Sequence, residues 1–291
     1  MKQLISIPLL FLFLLAACTG GMPEDDRPVV TVSILPQKYF VERLAGDKFN
    51  VNVLVPPGAE PETYEPTPRQ LREVANSLVY FRIGYIEFER TVLRSLNQHG
   101  NGPLVVNTAE GVDLIAADIV DHGDHVHLYG VDPHIWLTAP GVRIQAANML
   151  AALVKADPDN TRFYTDNFNS FSEDLDRLHE ELTTKFSKLK KRTFIVFHPA
   201  LGYFARDYDL TQISIEEEGK NPTPANMRKI IDIARQEDIR DVFIQMEFER
   251  DNAMTVAREL GGDVIELKPL AANWSENMKE MAEKLYDVLD R

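Results

Sequence analysis

The chemistry in this chain concentrates in its histidines. There are seven, and four fall between positions 122 and 134. The stretch Asp121-His122-Gly123-Asp124-His125-Val126-His127 has no apolar periodicity and reads as a polar loop. Imidazoles and carboxylates this close together hold divalent transition metals weakly. Their spacing is too loose for a structural zinc site. Asp132-Pro133-His134-Ile135-Trp136 is sharper. Pro133 favours extended backbone before it, so His134 is presented by irregular chain beside a large aromatic ring. His198 directly follows the strand-like Thr193 to Phe197 and precedes Pro199. The carboxyl end of a strand in an α/β sheet is where ligands bind. Glu62 lies in Gly58-Ala59-Glu60-Pro61-Glu62-Thr63-Tyr64, a Pro- and Gly-stiffened loop after another strand-like run. His179 falls on the outward face of a helix and carries no such signal.

These residues need a frame that aims strand ends at one place. Runs at 29–34, 51–55, 78–83 and 104–106 read as strands. So do runs at 193–197, 210–215, 241–245 and 264–267, and helix-like segments lie between them. Thr67-Pro68 marks a helix start, with Thr67 as N-cap and proline at the first helical position. Strands alternating with helices imply βαβ units and mostly parallel sheets.

The two halves resemble each other. Glu65-Pro66-Thr67-Pro68 recurs as Asn221-Pro222-Thr223-Pro224, and Glu87-Phe88-Glu89-Arg90 recurs as Glu247-Phe248-Glu249-Arg250. Ile34-Leu35-Pro36 is echoed by Phe197-His198-Pro199. Three matches in order at nearly constant offset point to two related α/β lobes. Between them, Phe168, Phe171, Leu175, Leu178, Leu182, Phe186 and Leu189 recur at steps of three or four, the spacing of one helical face. The expected architecture is two similar lobes, each a mostly parallel sheet flanked by helices, joined by one long rigid helix. The lobes would occupy 29–157 and 190–291, with the connecting helix over 158–189. In that arrangement Glu62, His134 and His198 meet in the cleft, one carboxylate oxygen and two imidazole nitrogens. Three such ligands suit zinc and leave a fourth position for water or another side chain.

Composition narrows the class. With 44% hydrophobic residues the chain supports a folded core. Its 31 basic and 45 acidic residues give a net charge of −14, which argues against nucleic acid as a partner and suits a cation. One cysteine allows neither a disulfide framework nor a Cys-rich zinc site. That residue, Cys18, ends Lys2 followed by an apolar run from Leu4 to Ala17, too short for a membrane span and right for a signal sequence. Leu15-Ala16-Ala17-Cys18 resembles a bacterial lipobox. Residues 1–17 then form a lipoprotein signal peptide, and 18–28 form a tether rich in Gly, Pro and acids. The mature chain is expected outside the cytoplasm, in the periplasm or at the cell surface, held to the membrane through lipid on Cys18.

Taken in order, several pieces resemble one family. They are the lipobox, Val53-Leu54-Val55-Pro56-Pro57-Gly58 with Glu65-Pro66-Thr67-Pro68, the His-rich loop, and Asp132-Pro133-His134-Ile135-Trp136-Leu137. Phe197-His198 with Gly202-Tyr203-Phe204, and Leu267-Lys268-Pro269-Leu270, complete the set. The chain resembles the extracytoplasmic zinc and manganese receptors of ABC importers, from about Val29 to Leu289. The resemblance implies two α/β lobes joined by a long helix, with a metal in the cleft. It implies a binding protein and not an enzyme, one that captures a divalent metal and delivers it to an ABC permease. His134 and His198 carry over directly. The transported ligand is expected to be Zn2+, with Mn2+ or Fe2+ possible, and the receptor is expected to be a monomer.

Two positions depart from the family. Glu62 stands where the family usually has His, and Lys268 where it often has a metal-binding Asp. An ammonium cannot coordinate. Either Lys268 points away, or another acid completes the site, with water an equal candidate for that position. Glu217 and Glu247, following strands of the second lobe, are the weaker candidates, and His122, His125 and His127 form an auxiliary metal-collecting loop. An alternative has Lys268 pairing with Glu62, which would make the protein a receptor for a small anionic or chelated ligand, or an adhesin-like surface protein with a degenerate metal site. A catalytic zinc site is the third class. The chain has no His-Glu-x-x-His helix, no Gly-x-Ser-x-Gly elbow and no phosphate loop to support it.

Overall fold

A computed structural model describes residues 26–97, 102–116, 130–216, 222–248 and 250–291. In the first half, β1 (Val29–Val32), β2 (Asn50–Val53), β3 (Val79–Arg82) and β4 (Leu104–Asn107) form one sheet in the order β2-β1-β3-β4. In the second half, β5 (Thr193–Val196), β6 (Thr211–Ser214), β7 (Val242–Gln245) and β8 (Val264–Leu267) form another in the order β6-β5-β7-β8. Every pairing within these sheets is parallel. The two sheets share one winding plan. In each, the first strand is flanked by the second on one side and the third on the other. Such a reversal opens a crevice at the carboxyl ends of the strands.

Helices α1 (Leu35–Ala45), α2 (Pro68–Ala75) and α3 (Glu87–Asn97) connect the first sheet, and α4 (Ala139–Ala156) follows it. The second sheet carries α6 (Gly202–Asp207), α7 (Pro224–Gln236), α8 (Asp251–Leu260) and the closing α9 (Trp274–Leu289). The repeated Thr-Pro pairs act alike. Thr67 Oγ1 accepts the Gln70 amide at 3.3 Å to cap α2, and Thr223 Oγ1 accepts the Asn226 amide at 3.1 Å to cap α7. Between the halves runs α5 (Thr161–Phe186), which buries Phe171, Leu175, Leu178, Leu182 and Phe186 along one face. Among the described residues no helix is long and apolar enough to cross a membrane.

The strands of the second sheet alternate between two cores, as period-two side chains require. Phe194, Val196 and Phe243 join a large core shared with the first lobe, α5 and α9. Ile195, Phe197, Val242 and Ile244 build a smaller one with Ile230 and Ala234 of α7 and Val256 of α8.

Element bounds shift by one to a few residues from the sequence expectation, and two details stand out. The first strand ends at Val32 and not at Ile34, where the chain turns into α1: Gln37 Oε1 accepts the Ser33 amide at 3.0 Å and the Ile34 amide at 3.4 Å, while the Ser33 amide also reaches the Phe81 carbonyl at 3.2 Å. His179 does not face solvent. It is half-buried against Tyr208, with ring centroids 5.6 Å apart.

Candidate metal centre

Glu62, His134 and His198 come together, each offering one ligand atom, with these atoms within 4.8 Å of one another. Glu62 and His198 arrive from loops after strands, and His134 stands three residues past the bridge between Ala116 and Val131. Glu62 follows β2, in a loop that Glu60 pins by accepting the Glu62 amide at 2.7 Å and the Thr63 amide at 2.9 Å. His134 precedes a single 3-10 turn, Ile135–Leu137. His198 lies just past β5, and Gln245 at the end of β7 holds its backbone. The Gln245 amide donates to the His198 carbonyl at 2.7 Å, and its Oε1 accepts the His198 N–H at 3.4 Å.

Both imidazoles are buried, and both are backed by a carboxylate. His134 Nδ1 lies 2.8 Å from Asp132 Oδ1, and His198 Nδ1 lies 2.6 Å from Glu216 Oε2. An ionised carboxylate only accepts hydrogen bonds, so each Nδ1 carries a proton. In the neutral ring each Nε2 then presents a lone pair. The two Nε2 atoms face each other at 3.3 Å, and Glu62 Oε1 lies 3.8 Å from one and 3.7 Å from the other. Three acceptors converge with no donor among them, an arrangement that repels itself unless a cation sits between. For a tetrahedron on zinc–nitrogen bonds of about 2.0–2.1 Å, ligand atoms stand about 3.4 Å apart. The Nε2–Nε2 separation meets that figure, and Glu62 needs to close by a few tenths of an ångström.

The surroundings of His198 favour its protonated form in the metal-free protein. Burial alone would lower the pKa of His198. The hydrogen bond to Glu216 and the negative charges of Glu62, Glu216 and Glu60 outweigh it and raise the pKa above the ordinary histidine value. The rings are held sideways as well. His198 stacks on Phe248 at 4.8 Å, and His134 lies 5.1 Å from the Trp136 ring. The cavity between them measures about 20 Å³, room for little more than one water-sized body.

Glu247 also lines this cavity but is not one of the three converging groups. Burial, with Glu266 and Glu60 adding to it, raises its pKa. Lys268 is exposed and borders a neighbouring cavity instead. The expected alternative pair of Lys268 with Glu62 does not form, because Glu62 is directed at the two imidazoles. Glu217, His122, His125, His127 and Cys18 lie outside the described residues.

Reading the sequence alone misses Asp132, Glu216, Gln245 and Glu60 as supports. Glu216 had a signal. Val196 pairs with Ser214, so carrying the parallel register two residues past both strands puts Glu216 beside His198. Gly202 is another. A Cβ there would meet Asp132 Oδ2 at 2.5 Å, so glycine lets α6 approach the acid that orients His134.

Comparison with known proteins places this geometry among relatives. The family described as "Zinc-uptake complex component A periplasmic" (ZnuA) matches residues 30–288. The high-affinity zinc uptake system protein ZnuA of Bacillus subtilis is 30% identical, over 85% of this chain and 82% of its own. The manganese ABC transporter substrate-binding lipoprotein PsaA of Streptococcus pneumoniae is 28% identical, over 89% of this chain and 87% of its own. A crystal structure of ZnuA superposes with a TM-score of 0.84 at 38% identity, covering 90% of this chain and 99% of that one.

Proposed function

The chain belongs to the periplasmic zinc-uptake component A family, and from that premise we propose that it captures zinc between its lobes and delivers it to an ABC permease. It is a divalent metal receptor of an importer, as its zinc- and manganese-receptor relatives are named. Zinc is favoured by the donor set. Two imidazoles and one carboxylate at near-tetrahedral spacing suit zinc, whereas manganese prefers more oxygen ligands. The observation that carries the reading is the convergence of two imidazole nitrogens and one carboxylate oxygen within 4.8 Å of one another.

Glu62, His134 and His198 are the ligands, and water takes the fourth position. Glu247 adds negative potential from the cavity wall. Asp132 and Glu216 hold each imidazole in the tautomer that turns Nε2 to the ion and make it a better donor. The protein binds and releases without catalysis. Lipid on Cys18 keeps it beside the permease, and His122, His125 and His127 collect metal near the cleft.

Calorimetric titration of chelator-stripped protein with zinc and with manganese tests the assignment. One tight zinc site is expected, absent in His134→Ala and in His198→Ala. Tight binding that survives both substitutions would overturn the ligand set, and a tighter manganese site would overturn the choice of metal. Deleting 121–127 is expected to leave the tight site and remove only weak additional equivalents.

A further inference from the structure

A second cavity, of about 150 Å³, lies against the metal cavity and shares Glu247 and Leu270 with it. It is far too large for a bare ion. A cavity of that size accommodates a molecule as large as benzene. Both lobes build it from strand ends. Ile34 and Leu35 follow β1, and Val55 and Pro56 follow β2. Met246 follows β7, and Leu270 comes from the loop after β8. These walls are apolar, and Met246 remains half exposed at 51%.

Two charged groups interrupt the apolar lining, Lys268 and Glu247. Neither forms an ion pair with another described residue. Lys268 helps hold Glu280 below the usual carboxylate range, but Glu280 is already hydrogen-bonded to Lys284. The cavity is therefore bordered by one lysine, one glutamate and an apolar body of walls. Its complement is a molecule with one carboxylate, one ammonium and an apolar body.

We propose that this second cavity binds a small zwitterionic amino acid with an apolar side chain. Its carboxylate is taken by Lys268, its ammonium by Glu247, and its side chain by the Ile34, Leu35, Val55 and Leu270 walls. This goes beyond metal capture and does not depend on it. The site would give the receptor a second ligand class at the same inter-lobe face, with occupancy read in the wall that the two cavities share.

The test uses zinc-free protein, so that chelation of metal by the amino acid plays no part. L-leucine is titrated into wild type and into His134→Ala. 4-Methylpentanoate, which lacks the amine, and 3-methylbutylamine, which lacks the carboxylate, are run beside it. Leucine is expected to bind both proteins saturably, about tenfold more tightly than either analogue, since each lost charge contact is worth at least that factor. Lys268→Ala, at an exposed position, is expected to lose about tenfold in leucine affinity while keeping tight zinc binding. Ala271→Phe, which fills the cavity, is expected to abolish leucine binding. No saturable leucine binding by wild type would overturn the proposal. So would leucine binding unchanged in Lys268→Ala and Ala271→Phe. Loss of leucine binding in His134→Ala would assign it to the metal cavity instead. Failure of zinc to bind would count against the metal reading alone.

Discussion

At the scale of single residues, the site depends as much on the carboxylates behind the imidazoles as on the ligands. Glu216 is 8% exposed and its oxygen sits 2.6 Å from His198 Nδ1. Glu216→Gln removes the anion and keeps the shape, and zinc affinity is expected to fall between about tenfold and a hundredfold by calorimetry. An unchanged affinity would leave Glu216 a packing residue. The same acid sets the pH response. Zinc needs neutral His198, whose pKa is raised, so affinity is expected to fall with decreasing pH already above about 6.5, the ordinary histidine value. Stability runs the other way without metal. A pKa raised on folding stabilises fully below the unfolded value of about 6.5, and that stability is lost as pH rises through the folded value. His198 thus makes the zinc-free protein more stable at pH 6 than at pH 8, whereas the zinc-loaded protein gains on going from pH 6 to pH 8. Melting temperatures of both forms across that range check the crossing. The convergence of the two imidazoles was legible in the sequence because Asp132-Pro133-His134 and Phe197-His198-Pro199 carry local signals of irregular backbone at strand ends. Glu216, Gln245 and Glu60 were not, since their roles come from strand register and loop closure, which no short motif records.

At the scale of elements, loops at strand ends work only if the strand ends are fixed. In the first lobe, Glu89 does this from the first turn of α3. It is 1% exposed and accepts the Ile83 and Gly84 amides, each at 2.7 Å, together with the Ser33 hydroxyl. Burial still raises its pKa, so its charge is held at a cost that those donors only partly offset. Glu89→Ala leaves amides of the β3–α3 turn without a partner and is expected to cost about 3 kcal/mol in urea unfolding. A loss under about 1 kcal/mol would mean that water replaces the carboxylate. The repeated Glu-Phe-Glu-Arg tetrapeptide was visible in the sequence, but as a mark of duplication. That its third residue, Glu89, closes a strand end emerges only once β1 and β3 lie side by side. Strand boundaries were less legible than strand order, because a helix that starts at once, as α1 does at Leu35, ends a strand whose hydrophobic pattern runs on.

At the scale of the whole molecule, the lobes are bolted together more firmly than a two-lobe plan requires. The Trp136 indole of the first lobe donates to the Pro269 carbonyl of the second at 2.9 Å, and Trp274 of α9 donates to the Trp136 carbonyl at 2.6 Å. Tyr203 of α6 reaches back to the Asp132 carbonyl at 2.8 Å. Arg43 of α1 pairs with Asp174 of α5 at 2.6 Å, and the large core runs without a break from the first sheet through α5 to α9. Opening a hinge would expose that core, at roughly 25 cal/mol for each square ångström of apolar surface. Release of metal is therefore expected from smaller movements of the cleft loops, chiefly the Glu60–Thr63 segment, where Glu60 and Glu62 are half-buried and Thr63 is exposed. The radius of gyration is expected to stay near about 19 Å with and without zinc, changing by less than about 1 Å in small-angle scattering. Hydrogen exchange is expected to slow on zinc binding mainly in that loop. Trp274→Phe removes one bolt and keeps most of the ring packing against Phe40, 5.6 Å away. It is expected to lower stability by about 1–2 kcal/mol and to enlarge the scattering difference between the two forms. A wide domain closure in the wild type, or no change in that difference with Trp274→Phe, would show that the indole bonds do not restrain the lobes.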